Sequence, residues 1–177
     1  MQESIFNITR KSLQYVRIIM AMGAVAAVSA TAVAQAPADN VVWTVTVASG
    51  ATPVKTGSVV TLDVNGSIDE GWHVYGLKQL PGGPTALRVT VDANDTGQAA
   101  GDPSESQPQK IHDLRFGLDT QFHSGTVTLH LPVRVTSAAA GNRTIPVSVR
   151  FQLCSEGECK PPRSVHLTAP IEVTPDA

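Results

Sequence analysis

The chain has 177 residues, 42% of them hydrophobic and only 16% charged, with two Cys, 14 Gly, 12 Pro and a formal net charge of -2. That length sets one compact domain as the expectation, and low charge with abundant Val, Thr and Leu disfavours long disorder. With 13 Lys and Arg against 15 Asp and Glu, no basic excess exists to neutralise phosphates, so no nucleic-acid partner is expected.

Arg10, Lys11 and Arg17 precede an Ala-rich, charge-free apolar run over residues 18–34, which is the layout of an export signal. Ala32-Val33-Ala34 is a small-x-small cleavage site, predicting a signal peptide at 1–34 and a domain at 35–177. An uncleaved anchor competes with this reading, but Ala, Gly, Ser and Thr leave the run weakly hydrophobic. Losing three basic residues and Glu3 with the leader moves the formal net charge from -2 to -4. All three Met (Met1, Met20, Met22) lie in the leader, which excludes a Met-ligated copper site from the remainder. No later apolar run approaches membrane length.

After the leader the dominant signal is period two. Trp43, Val45 and Val47 alternate with polar neighbours, as do Val60, Leu62 and Val64. A short piece over 72–77 follows, then Leu87, Val89 and Val91. The stretch 94–110, NDTGQAAGDPSESQPQK, has no large apolar residue and is predicted to be a mobile surface loop. Alternation resumes in Val127 to Val135, in Val147, Val149, Phe151 and Leu153, and in Val165 to Val173. About seven strands with turn signals between them, and no helical period, predict an all-β, immunoglobulin-like antiparallel sandwich. Asn-x-Ser/Thr triplets at Asn7, Asn65, Asn94 and Asn142 carry little weight, because the motif is common by chance.

The only pair with obvious chemistry is Cys154 and Cys159, in Phe151-Gln152-Leu153-Cys154-Ser155-Glu156-Gly157-Glu158-Cys159-Lys160-Pro161-Pro162. An exported chain with an even Cys count is expected to hold a disulfide. Extending the alternation from Val147 places Cys154 on the polar face, beside Gln152 and Arg150. A loop this short stabilises by only about 2 kcal/mol, against about 4 to 5 for one of around 100 residues, so the pair is a poor staple. Two readings stay open at this point: a redox-active dithiol, or a hairpin clasp without chemistry. Glu156 and Glu158 flank the thiols and oppose thiolate formation, predicting a slow, docking-dependent relay, with Lys160 and Arg150 as the cations able to offset them.

These residues resemble the N-terminal periplasmic domain of the DsbD family of thiol:disulfide interchange proteins. The resemblance spans most of 41–173. It rests on Asp69-Glu70-Gly71-Trp72-His73-Val74-Tyr75, on Phe122 to Val133 ending in Leu131-Pro132-Val133, and above all on Phe151-Gln152-Leu153-Cys154 followed by Cys159 and Pro161-Pro162. It implies a thiol-disulfide oxidoreductase of immunoglobulin-like fold in the periplasm. Its reversible disulfide would take electrons from a thioredoxin-like domain and pass them to clients such as disulfide isomerases or cytochrome c maturation thioredoxins. Cys159 matches the cysteine that joins partners and Cys154 the one that resolves the mixed disulfide. Family members shield the disulfide with an aromatic cap, matched here by 112–117, with Phe116 as the cap candidate and Arg115 in its place if the alignment slips by one residue. Asp113 belongs to that stretch, and Tyr75, His73 and Phe151 are assigned to the active-site face, Tyr75 and His73 also reading as ordinary outward residues of a strand beginning at Trp72.

Full-length family members continue into a membrane domain and a thioredoxin-like domain, whereas this sequence stops at Ala177 without a Cys-x-x-Cys. The expectation is a stand-alone domain reduced by another polypeptide. No cofactor is needed, since electrons travel through sulfur. The scattered His112, His123, His130 and His166 lack metal-ligand spacing. A competing function is a non-catalytic immunoglobulin-like binding module, in which both cysteines could be replaced by Ser. Nothing in the sequence supports a hydrolase, with no nucleophile elbow or metal-binding His motif.

Overall fold

The computed structural model describes residues 40–48 and 53–174; the expected signal peptide and its cleavage site lie outside them. The described residues are all-β and build three sheets. The first holds β1 (Val41–Val47), β3 (Val59–Ile68) and β10 (Thr126–Val135) side by side, with β6 (Gly97–Ala99) and β7 (Ser104–Glu105) both pairing with β10. The second runs β2 (Val54–Lys55), β13 (Arg163–Thr174), β11 (Gly141–Phe151), β5 (Arg88–Val91). A small third sheet runs β12 (Leu153–Ser155), β4 (Trp72–Tyr75), β9 (Leu118–His123), β8 (Gln109–Asp113). All pairings are antiparallel except β2 with β13.

The first two sheets form the sandwich predicted from period two. Leu62, Val64, Leu129 and Leu131 of one inner face join Val147, Val149, Ala169 and Ile171 of the other in a single apolar cluster. The alternation is close to ideal on β10, where Val127, Leu129, Leu131, Val133 and Val135 are all buried. Each such side chain contributes roughly 1.5–3 kcal/mol by leaving water, so these strands anchor everything else. Trp43 crosses the layer to Phe151, ring centroids 5.4 Å apart. Gly66 makes room for it: a Cβ there would stand 2.8 Å from the indole and 2.9 Å from Val127.

Two expectations need correction. The stretch 94–110 is not an unpaired loop, because β6 and β7 lie within it and Thr96 and Gly97 are buried. Its strands carry Gly, Ser, Gln and Glu rather than large apolar residues, so no periodic signal reveals them. Asn94 folds the segment's start by accepting from the backbone N–H groups of Thr96 and Gly97, each at 2.8 Å. Second, β11 ends at Phe151 and does not continue through Cys154. The chain breaks at Gln152, whose side-chain oxygen accepts the Thr85 N–H at 3.0 Å, and then leaves the second sheet to pair with β4 in the third.

Candidate functional site

That change of sheet positions the cysteines. Phe151 and Leu153 are buried in the sandwich core, whereas Cys154 falls on the other side, as alternation predicts, beside His73 and Tyr75, and is nevertheless only 1% exposed. Cys154 pairs in register with His73, and Ser155 with Trp72. Beyond Ser155 the chain reverses through Glu156-Gly157: the Ser155 N–H bonds the Glu158 carbonyl at 2.8 Å and the Lys160 N–H bonds the Leu153 carbonyl at 2.8 Å. The hairpin brings Cys159 opposite Cys154 as an isolated bridge, Cα atoms 4.0 Å apart, and the two form a disulfide. One sulfur belongs to Cys154, which is almost wholly buried. The other belongs to Cys159, which is half-buried, on a hairpin whose Glu156, Gly157 and Glu158 are exposed.

The turn joining β8 to β9 reaches over this pair. Asp113 closes the turn by accepting the Phe116 and Gly117 N–H groups on its carbonyl, at 3.2 and 2.7 Å. Gly117 takes φ +65°, a left-handed conformation that costs glycine little. One Asp113 carboxylate oxygen accepts the Arg115 backbone N–H at 2.9 Å, and the other accepts the Tyr75 hydroxyl at 3.0 Å. This carboxylate therefore ties the cap turn to the floor of the site. From the turn, Arg115 donates through Nη1 to Cys159 Sγ at 2.9 Å and through Nη2 to the Glu156 carbonyl at 3.0 Å.

The candidates divide accordingly. Asp113, Tyr75 and His73 gather beside the disulfide with Phe122: His73 meets Tyr75 edge-on at 5.2 Å and Phe122 at 5.3 Å. Tyr75 is 2% exposed, so it is covered by the cap turn and is no ordinary outward strand residue. Phe116 packs edge-on against Tyr75 at 6.0 Å, whereas the side chain touching Cys159 is that of Arg115. Phe151 is corrected outright: it is fully buried in the sandwich, its ring between Trp43 and the Arg163 guanidinium at 5.1 Å, and takes no part in the site face. Alternation from Val147 already places it there.

Burial and neighbours fix the charge states at this face. Burial lowers the His73 pKa, with the nearby Arg115 adding to the effect and Asp113 opposing it; at neutral pH the imidazole is neutral. The Tyr75 phenol is pushed well above its usual value by burial and by its hydrogen bond to Asp113, so it stays a donor. A groove of about 720 Å³ opens between the cap turn and the disulfide hairpin, lined by His73, Tyr75, Phe122, Leu114, Arg115 and Cys154 among others. Leu114 stands 90% exposed at its lip.

Sequence reasoning missed the support beneath this face. Buried His123 bonds Glu105 at 3.0 Å, and Glu105 also accepts the Leu77 N–H at 2.9 Å. Glu105 belongs to the segment read as a loop, so nothing linked it to a histidine 18 residues away. Lys160, expected to offset the acidic hairpin, instead lies 4.4 Å above the Trp72 ring and bonds the Asn40 side chain. Among the described residues no cluster of three or more His, Cys, Asp or Glu could hold a metal ion, and no helix is long and apolar enough to cross a membrane.

Several solved structures are similar to this chain. The DsbD N-terminal domain of Neisseria meningitidis in its reduced form shares 20% identity at a TM-score of 0.43, over 60% of this chain and 74% of that one. The N-terminal periplasmic domain of ScsB from Proteus mirabilis shares 17% at a TM-score of 0.47, over 72% of this chain and 44% of that one, so this chain spans less than half of the ScsB chain. AggA, the major subunit of aggregative adherence fimbriae type I from Escherichia coli, shares 10% at a TM-score of 0.35, over 76% and 95%. No curated protein sequence matches. A family model described as Thiol:disulfide interchange protein DsbD, N-terminal, matches residues 40–169, and the chain belongs to that family.

Proposed function

We propose that this domain is a periplasmic thiol-disulfide exchange module, passing electrons through Cys154 and Cys159 from a thioredoxin-like donor to periplasmic client proteins of the disulfide isomerase or cytochrome c maturation type. The observation that carries the reading is the unequal burial of the two cysteines: Cys154 is 1% exposed while Cys159 sits half-buried on an exposed hairpin. A partner thiolate reaches Cys159 first. It attacks Cys159 Sγ, the Cys154–Cys159 bond breaks, and Cys154 leaves as a thiolate that takes a proton. A second donor thiolate attacks the donor's own sulfur in the mixed disulfide and releases Cys159, so the donor is oxidised by two electrons and the pair is reduced. Transfer to a client runs these steps in reverse, with Cys159 attacking and Cys154 resolving.

Membership of a thiol:disulfide interchange family supports this chemistry, and so does the small stabilisation of about 2 kcal/mol that such a short loop provides as a staple. The test is trapping. The Cys154→Ala chain, exposed to periplasmic extract, accumulates mixed disulfides through Cys159 with proteins of thioredoxin-like fold. Absence of any such adduct would contradict the proposal and favour a binding module with a hairpin clasp.

A further inference from the structure

The acidic hairpin around Cys159 raises a question about charge. Glu156 and Glu158 are exposed on either side of the turn, and both oppose a thiolate on the neighbouring sulfur. From the opposite element, the β8–β9 turn, only Arg115 brings a cation onto that sulfur: Nη1 donates to Cys159 Sγ at 2.9 Å. Its second arm bonds the Glu156 backbone carbonyl at 3.0 Å, not a carboxylate, so the positive charge is not consumed by an ion pair in the hairpin. Asp113 holds the Arg115 backbone in place at 2.9 Å while its other oxygen is taken by Tyr75. Two other titratable groups near the hairpin have partners elsewhere. Lys160 lies over Trp72, and His73 pairs with Cys154, not Cys159.

We propose that Arg115 is a cationic lid that stabilises negative charge on Cys159, making this sulfur the leaving group when a donor releases the domain and the nucleophile when the domain attacks a client. This rests on the redox reading of the pair. In the release step the bond between the donor sulfur and Cys159 Sγ breaks, the electron pair goes to Cys159, and the guanidinium takes up the charge without proton transfer. In the attack step the same electron pair forms the bond to the client sulfur, and the client's second sulfur leaves as the thiolate. A guanidinium suits this task, because it keeps its proton at any physiological pH and presents several donors in one plane. An aromatic ring at the same place would shield the disulfide sterically and supply no charge.

The magnitude follows from the geometry. An opposite charge within about 4–6 Å lowers a thiol's titration point by about 1–3 pH units; this pair is exposed and screened, so the lower end applies. A shift of about one unit raises the thiolate fraction at neutral pH about tenfold. The weaker nucleophilicity of a lower-pKa thiolate returns about threefold of that, leaving a net gain in attack rate of about threefold.

The test uses the full chain carrying Cys154→Ala, so that Cys159 is the single thiol, and follows iodoacetamide alkylation against pH. Adding Arg115→Gln is expected to move the midpoint up by about one unit and slow alkylation at pH 7 about threefold, with Arg115→Lys restoring part of both. Raising salt should shrink the difference between Arg115 and Gln. Equal midpoints for Arg115 and Gln at low salt would overturn the proposal. A midpoint shift that Lys does not restore, and that salt leaves untouched, would also overturn it, since shape and not charge would then be responsible. Trapping from periplasmic extract reports separately on the functional reading. If neither Arg115 nor Gln chains form mixed disulfides while the midpoint shift stands, the relay fails and the cationic lid does not.

Discussion

The sandwich and the small third sheet are built by different rules. In β10 every second residue is an aliphatic side chain buried against the opposing sheet, and β3 keeps the alternation apart from Gly66, as β11 does from Ile145 to Phe151. In the third sheet β8 exposes four of its five residues, and β9 reads Leu-Asp-Thr-Gln-Phe-His, with Thr120 and His123 buried where a core strand would carry Val. Aromatic edges and a tyrosine-carboxylate bond join side chains within this sheet, and a buried histidine-glutamate bond ties it to β7 of the first sheet. The first region contributes stability and a rigid base; the second carries Cys154 and the side chains around it, and its interactions are directional and individually weak. Stability and redox behaviour should therefore separate under mutation.

The largest effect on either side comes from replacing Cys159 by Ser: thiol-disulfide exchange is lost, while chemical denaturation registers only the roughly 2 kcal/mol of a short closed loop. Next is Leu129→Ala at the centre of β10, expected to cost about 2–5 kcal/mol in denaturant unfolding with no change in the reduction potential of the pair. A potential that moved with Leu129 would break the separation. Gly66→Ala is smaller, about 1–3 kcal/mol, because the added methyl must displace Trp43 and Val127 in a packed layer. Tyr75→Phe removes the hydrogen bond to Asp113 for about 1 kcal/mol of stability. Its sharper consequence is a looser cap turn, read as faster reduction of the disulfide by a small thiol. An unchanged reduction rate would mean that Tyr75 does not hold the turn.

The smallest effect concerns pH. The His73 pKa is lowered by burial in the folded chain, so below about pH 6.5 the unfolded chain binds a proton that the folded chain refuses. Stability is complete above that pH and declines as pH falls from there toward the depressed folded value. His73→Phe keeps the aromatic contacts and removes the titration, so its stability profile should be flatter over this window. Identical profiles would show that His73 titrates alike in both states.

The two regions also differ in how much of them could be read from sequence. Period two located β1, β3, β5, β10, β11 and β13, because burying one face of a strand forces alternation. The short β12, β8 and β9 gave no such signal: their inward residues are polar or aromatic and satisfied by specific partners. Reading β11 as one continuous strand through Cys154 failed for a related reason, although the side on which Cys154 falls was read correctly. Alternation assumes one sheet, and at Gln152 the chain moves to another, a step recorded only in the bond from Thr85 to the glutamine side chain. The cysteines, Asp113, Tyr75 and His73 were legible as site candidates through family resemblance. Glu105 and His123, 18 residues apart, were not, since their meeting depends on two strands pairing at the edge of β10 and β4.

In the proposed function the Cys154–Cys159 disulfide is poised for exchange. Equilibrating the protein with thiol redox buffers and counting free thiols by mass measures its reduction potential directly. A value of roughly -180 to -270 mV, the range of exchange proteins, is expected, and one well below about -300 mV would mark a structural clasp and rule out the exchange role.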